Sequence, residues 1–298
     1  MGLTSGGPHA ESTIRSLYDT YRAPPRELAL YGSKPETIQQ LVETQVEKMD
    51  FDAMRNALWS TDSSKSFHLI MRVEPSNSRF KPCKMIASPF AFNLLWDRHL
   101  RDQVSETAHF YNLVSEGGPG TASNAGWIFE FRMHQLIRQG YLMKLFPIGR
   151  TRSTSTKYDV YSDYTNSHNE TNAEEFKLAE APEETLDEGI KLNVGHYYRP
   201  PAPNFPSIDS VLLIHPANSL PILLMFQFTR KKVLHDAKED GLNKVDGLRV
   251  PPGTRKYLVV VTPSDREPKI RPPRGRFEND HVHVYHHPVK RRTLFPLA

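Results

Sequence analysis

Residues Phe205 to Thr229 run FPSIDSVLLIHPANSLPILLMFQFT, two apolar runs flanking the turn-forming His-Pro-Ala-Asn-Ser. Each run is short, rich in β-formers and apolar on successive residues, as expected of strands covered on both faces. Asp209 near the start of the first and Gln227 near the end of the second break that pattern. Folded as an antiparallel pair symmetric about Asn218, the runs set Asp209 directly opposite Gln227. Alternation then predicts one shared face for Asp209, Val211 and Leu213 with Leu223, Met225, Gln227 and Thr229. A carboxylate taken out of water without a partner costs roughly several kcal/mol, so Asp209 needs the amide, a basic group or a cation beside it. Two oxygen ligands at one sheet edge suit a hard divalent ion such as Mg²⁺ or Mn²⁺. Lys231 extends the same face two residues beyond Thr229. A carboxylate, an amide oxygen and an ammonium at one point suit phosphodiester hydrolysis. The same spacing equally fits a structural pairing, in which Asp209 makes a buried hydrogen bond or caps a turn and Gln227 is its partner.

Outward from this hairpin, ASNAGWIFEFRMHQLIRQG (Ala122 to Gly140) predicts a helix with Trp127, Phe131 and Leu136 near one face, capped by Ser123 or Asn124 and ended by Gly140. A short apolar run, Tyr141 to Ile148, follows as a strand. Residues 149–195 have little apolar periodicity and predict a long polar surface insertion with one hairpin. After the Phe205–Thr229 stretch come a helix from about Val233 to Leu248 and the strand KYLVVVT, Lys256 to Thr262. The connection is long enough for a right-handed parallel crossover. Upstream, Pro35 to Ser60 has helical spacing, FHLIMRV and FKPCKMI predict a strand pair, and Ser88-Pro89 opens a helix reaching about Gln103. The expected fold class is therefore α/β, a mixed central sheet flanked by helices, in residues 106–298. A small helical or α+β part fills residues 1–105.

With 298 residues, 38% of them apolar, the chain can bury a substantial core, and no apolar run reaches the roughly 18 to 20 residues of a bilayer span. MGLTSGGPHAEST lacks the apolar centre of a secretory signal and reads as a frayed start. Cys83 is the only cysteine, which fits a reducing intracellular compartment and excludes an internal disulfide. The formal charge of +4 is compatible with a polyanionic partner without demanding one. Lys269, Arg271, Arg274, Arg276 and Lys290 to Arg292 form a basic tail suited to a nucleic-acid backbone or to nuclear import. EGGPGTAS (Glu116 to Ser123) is a glycine-rich loop, but the chain has no G-x-x-x-x-G-K-[ST], which argues against an ATP-binding loop. Asn169 alone fits a glycosylation triplet. His281, His283 and Tyr285 alternate as one face of a solvated edge strand, without the further ligands that a zinc site needs.

GWIFEFRMHQLI, IDSVLL, LLMFQFT followed by His235 and a helix, and YLVVVTP together resemble the C-terminal domain of Crinkler and retrotransposon-hot-spot proteins. That domain belongs to the PD-(D/E)xK restriction-endonuclease-like superfamily. The resemblance spans roughly Ser88 to Pro263 without the insertion. It implies a core of helix, three strands, helix and strand, a Mg²⁺-dependent nuclease activity on DNA, and an effector role inside a cell. It further implies that Asp209 and Gln227 are metal ligands, that Glu130 is the acid contributed by the first helix, and that His235 contacts phosphate or positions water. Thr229 stands where the superfamily carries its catalytic lysine, leaving Lys231 or Lys232 to supply the ammonium from a shifted position. If neither does, a degenerate domain that binds nucleic acid or a protein is implied instead. The first 105 residues leave room for a protein partner.

Overall fold

The computed structural model describes residues 8–23, 25–31, 34–50, 52–54, 56, 68–74, 83–101, 103–116, 122–148, 150–152, 159–161, 173–201, 207–230, 235–264, 270–271 and 281–296. The chain forms two compact units, residues 1–128 with 295–298, and residues 129–294. The division falls inside a helix rather than in a linker. The glycine-rich loop at 117–121, Asn169, Lys231, Lys232, Lys269, Arg274 and Arg276 lie outside the described residues. No described helix is long and apolar enough to cross a membrane.

The described residues of the first unit are helical apart from one ribbon. Its helices include α1 (Pro8–Tyr21), α2 (Pro25–Tyr31), α3 (Pro35–Lys48), α4 (Pro89–Leu95) and α5 (Val104–Glu116). The expected frayed start is thus a helix from Pro8 onward. Pro35 begins α3, where its missing N–H costs nothing, and Ile38, Val42 and Val46 recur on one face and are fully buried. Ser88 caps α4, its Oγ accepting the Ala91 N–H at 3.1 Å. A π-helical turn, Trp96–Leu100, continues α4. Strands β1 (Met71–Glu74) and β2 (Cys83–Ile86) pair antiparallel, as the two β-rich runs predict.

The second unit is a mixed α/β structure. It is entered by α6 (Ala122–Arg138), whose end at Gly140 requires a backbone φ of +85° that glycine adopts freely. Its strands are β3 (Leu142–Pro147), β4 (Arg150–Arg152), β5 (Asp159–Tyr161), β6 (Glu174–Lys177), β7 (Glu183–Thr185), β8 (Tyr197–Arg199), β9 (Ser210–Ile214), β10 (Ile222–Phe228), β11 (His235–Asp236), β12 (Arg255–Pro263), β13 (Ile270–Arg271) and β14 (Val282–Val289). Helix α7 (Glu239–Asp246) and the short α8 (Arg291–Leu294) are its other described helices. The main sheet has eight strands in the order β6-β3-β14-β12-β10-β9-β8-β7, and β11-β13-β5-β4 form a second, smaller sheet.

The hairpin register is the one that symmetry about Asn218 demands. Ile222 faces Ile214 and the pairing runs unbroken to Phe226 opposite Ser210. Asn218 takes φ +59° in the turn, a conformation asparagine tolerates, and Ser219 N–H bonds back to Pro216 O. Every residue of β10 is buried, as befits a central strand with helices on both faces. On one face Val211, Leu213, Leu223, Met225, Leu258 and Val260 pack with Leu242, Val245 and Leu248 from α7 and the turn after it. On the other, Tyr197 and Phe228 meet His134 of α6.

Four expectations change. The helix expected over 233–248 is shorter, and His235 belongs to β11 before it, whose backbone is taken up by pairing with β13. The strand preceding β9 in the meander is β8, antiparallel to β9, whereas the apolar run 142–147 forms β3 near the opposite end of the sheet. The 149–195 insertion does hold a hairpin, β4 with β5, but residues 173–195 also supply β6 and β7 of the main sheet, with Leu178, Leu186 and Leu192 buried. Finally β14 is interior, between β3 and β12, rather than an edge strand: of the face expected to be solvated, His281 and His283 are exposed but Tyr285 is buried, as are His286 and His287 after it. His287 Nδ1 and Nε2 meet Lys144 O and Tyr141 Oη, a structural satisfaction of the ring.

Phe226 is fully buried and stacks on Phe228 with ring centres 6.0 Å apart. Phe226→Ala is expected to destabilise the protein by about 3 to 5 kcal/mol, read as a lower denaturation midpoint with an unchanged m-value.

Candidate active site

Asp209 stands one residue before β9, where the hairpin ladder ends. Its N–H donates to Phe226 O at 2.8 Å, one residue out of step with the Ser210–Phe226 pair. Ile208, not Asp209, therefore joins the apolar cluster of Val211 and Leu213. The shared face that simple alternation predicts for Asp209 and Gln227 is broken by this slip. The carboxylate instead turns onto its neighbour strand, and Oδ2 accepts the Phe228 N–H at 2.6 Å. A side chain thus occupies the ladder position that a backbone carbonyl holds elsewhere in the pair.

Helix α6 brings Glu130 to the same place. One turn later in α6, His134 Nε2 lies 3.6 Å from Glu130 Oε1. His134 Nδ1 meets Tyr197 Oη at 2.5 Å, and the Tyr197 hydroxyl donates to Ser210 Oγ at 2.6 Å. Tyr197 thus takes up one ring nitrogen of His134, and the other, Nε2, faces Glu130. Arg199, two residues after Tyr197 on β8, places its guanidinium 5.2 Å over the Phe131 ring, and its Nη1 is 3.5 Å from Glu183 Oε1.

The electrostatics follow from two acids sharing a partly dry site. Burial pushes the Glu130 carboxyl from its ordinary 4.5 up to about 7, with Arg199 opposing. Burial, then the Glu130 charge, pushes Asp209 well above the carboxylate range, while the Phe228 N–H and Arg199 oppose. The two groups are one coupled pair that keeps a proton near neutral pH. Burial, reinforced by Arg199, holds His134 well below its usual range and therefore neutral.

Of the residues the sequence singles out, Glu130 and Asp209 come together. Strand alternation sets Gln227 with Leu223 and Met225, on the face opposite Phe226 and Phe228; it is buried, 5% exposed. Thr229 is also buried, its N–H donating to Val261 O at 3.0 Å. Lys231 and Lys232 lie outside the described residues, and His235 is placed only by its backbone in β11. His134, Tyr197, Ser210 and Arg199 are additions. The i, i+4 spacing of Glu130 and His134 was a readable signal. Tyr197 and Arg199 become readable once 197–199 is recognised as a strand.

Among the described residues, no three His, Cys, Asp or Glu side chains converge as a ready-made metal cage. Mg²⁺ does not require one, since it keeps several waters and is commonly held by one or two carboxylates. Two adjacent acids with raised pKa values are a donor set that such a cation fits. No family model, curated protein or solved structure matches the chain.

Glu130 gains its proton in the folded state at a pH where the unfolded chain has lost it, so the stability of the metal-free protein falls as pH rises from about 4.5 to about 7. Thermal scans of Glu130→Gln should give a higher Tm than wild type at pH 8, with the difference closing towards pH 5.

Proposed function

We propose that this protein is a metal-dependent nuclease-type hydrolase acting on DNA, with Glu130 and Asp209 as the ligands of Mg²⁺ or Mn²⁺. The observation that carries this is the convergence of the two acids from α6 and from the head of β9, each with its pKa raised by burial. The element order adds support. Helix α6, the antiparallel meander β8-β9-β10, helix α7 and strand β12, parallel to β10, are compatible with the helix, three strands, helix and strand that the resemblance implies, with β3 to β7 inserted between α6 and the meander.

A divalent cation at the pair supplies polarisation of a phosphoryl oxygen and a bound water of lowered pKa. The chain's own residues fix the acids. The Phe228 N–H orients Asp209, and the Tyr197 hydroxyl, itself hydrogen-bonded to Ser210, holds His134 so that Nε2 faces Glu130. In hydrolysis a water oxygen bonds to phosphorus as the ester P–O bond breaks, and the leaving oxygen takes a proton. The negative charge that builds on the phosphoryl oxygens needs a neighbouring cation.

Plasmid DNA incubated with the protein and Mg²⁺ or Mn²⁺ should be nicked, and Asp209→Ala should lower the rate on the order of 10³-fold or more. Mn²⁺ should raise the Tm at pH 8 more than at pH 6, because the pair must lose its proton to bind, and Asp209→Asn should abolish that rise. A specific observation favours a second reading, a non-cleaving domain that binds nucleic acid or a protein: Thr229 replaces the lysine of the superfamily, and Gln227 is on the other face. Wild-type protein that binds duplex DNA yet leaves plasmid intact in both metals would select it.

A further inference from the structure

The acids have a positive neighbour that comes from neither strand of the hairpin. Arg199 ends β8, and alternation from Tyr197 puts it on the α6 side of the sheet. Glu183 of β7 accepts from it through Oε1 at 3.5 Å, and its other oxygen takes Arg138 Nη1, at the end of α6, at 2.8 Å. One carboxylate therefore spaces two guanidinium groups and leaves the trio with a net charge of +1. Arg138, Glu183 and Arg199, with Glu184, Thr185 and Pro200, line an open cleft of about 520 Å³, and the Glu184 carboxylate is taken up by His196 Nδ1 at 2.5 Å. The Arg138, Arg199 and Glu183 side chains are 45%, 29% and 30% exposed, so a ligand in that cleft reaches all three.

We propose that Arg199 and Arg138 form a phosphodiester-binding subsite beside the acid pair, and that Arg199 serves that pair as the cation which offsets the charge developing on the phosphoryl group. The second clause rests on the nuclease activity proposed above; the first does not. The planar guanidinium fork matches two phosphate oxygens at once, which an ammonium cannot do. The ring of Phe131 holds Arg199 in place next to Glu130 in the helix, and both acids feel its charge. Glu183 acts as an internal stand-in for phosphate, keeping the two guanidinium groups apart and ordered until an anion displaces it.

The test is fluorescence anisotropy of a short labelled DNA duplex over a salt series, with Ca²⁺ present. Arg199→Met and Arg138→Met should each flatten the slope of log K against log salt by about 0.9 and weaken binding on the order of fivefold at 0.1 M salt. Arg199→Lys should keep the slope. Glu183→Gln should tighten binding beyond the control Glu188→Gln, a gain that misfolding does not produce. An unchanged slope and affinity in Arg199→Met, or no duplex binding by wild type, overturns the subsite. For the second clause, Arg199→Met should cut plasmid nicking on the order of 10²-fold while the Mn²⁺-dependent Tm rise persists. Full nicking by Arg199→Met that Asp209→Ala abolishes overturns it. If the wild-type Tm ignores Mn²⁺ and plasmid stays intact while Arg199→Met still flattens the slope, the nuclease activity fails and the subsite stands.

Discussion

The hydrogen bond from the Phe228 N–H to the Asp209 carboxylate closes the end of the hairpin on which the proposed site is built. Five residue pairs of the hairpin keep strict register, and both strands are covered on two faces, so a slip within them would expose a whole row of side chains. At the sixth position the backbone of Asp209 shifts by one residue and its side chain fills the gap. The apolar cluster claims Ile208, which leaves the acid to be turned away from it. An acid so placed is half-buried, and its energetics depend on what α6 presents to it.

What α6 presents is another acid. Two carboxyls near each other in a site with little water are costly when both are charged, and the molecule relieves that cost with a retained proton, with one backbone N–H and with the Arg199 charge. The neutral His134, held from behind by Tyr197 and Ser210, adds no charge. On the proposed reading a bound cation would remove the repulsion and the proton together. On the proposed activity, the energy stored in the uncomfortable pair becomes metal affinity.

Much of this was legible beforehand, for identifiable reasons. The hairpin register followed from the symmetry of two apolar runs about Asn218, and helix α6 from its period and from Gly140. Glu130 and Asp209 emerged as partners of one site only through the resemblance, since they are 79 positions apart and nothing local links them. Two features were illegible. The slip at Asp209 comes from competition between Ile208 and Asp209 for a core position, which alternation alone ignores. The strand role of Tyr197–Arg199 is hidden because three residues carry no period, and the polar composition of 173–195 disguises a segment whose backbone pairs in the sheet.

The place of β14 has a consequence for how the molecule is assembled. Strands β3 and β6 pair with each other early in the unit, but they reach the rest of the eight-stranded sheet only through β14, which pairs antiparallel with β3 and parallel with β12. Glu174 of β6 is held from across that seam by the hydroxyls of Tyr257 and Tyr285. During synthesis, then, the chain makes a two-stranded ribbon whose open edge waits for a strand about 135 residues further on. The late-arriving strand works as the keystone of the sheet, and until it is emplaced the segment joining α6 to the meander has hydrogen-bonding edges without a permanent neighbour.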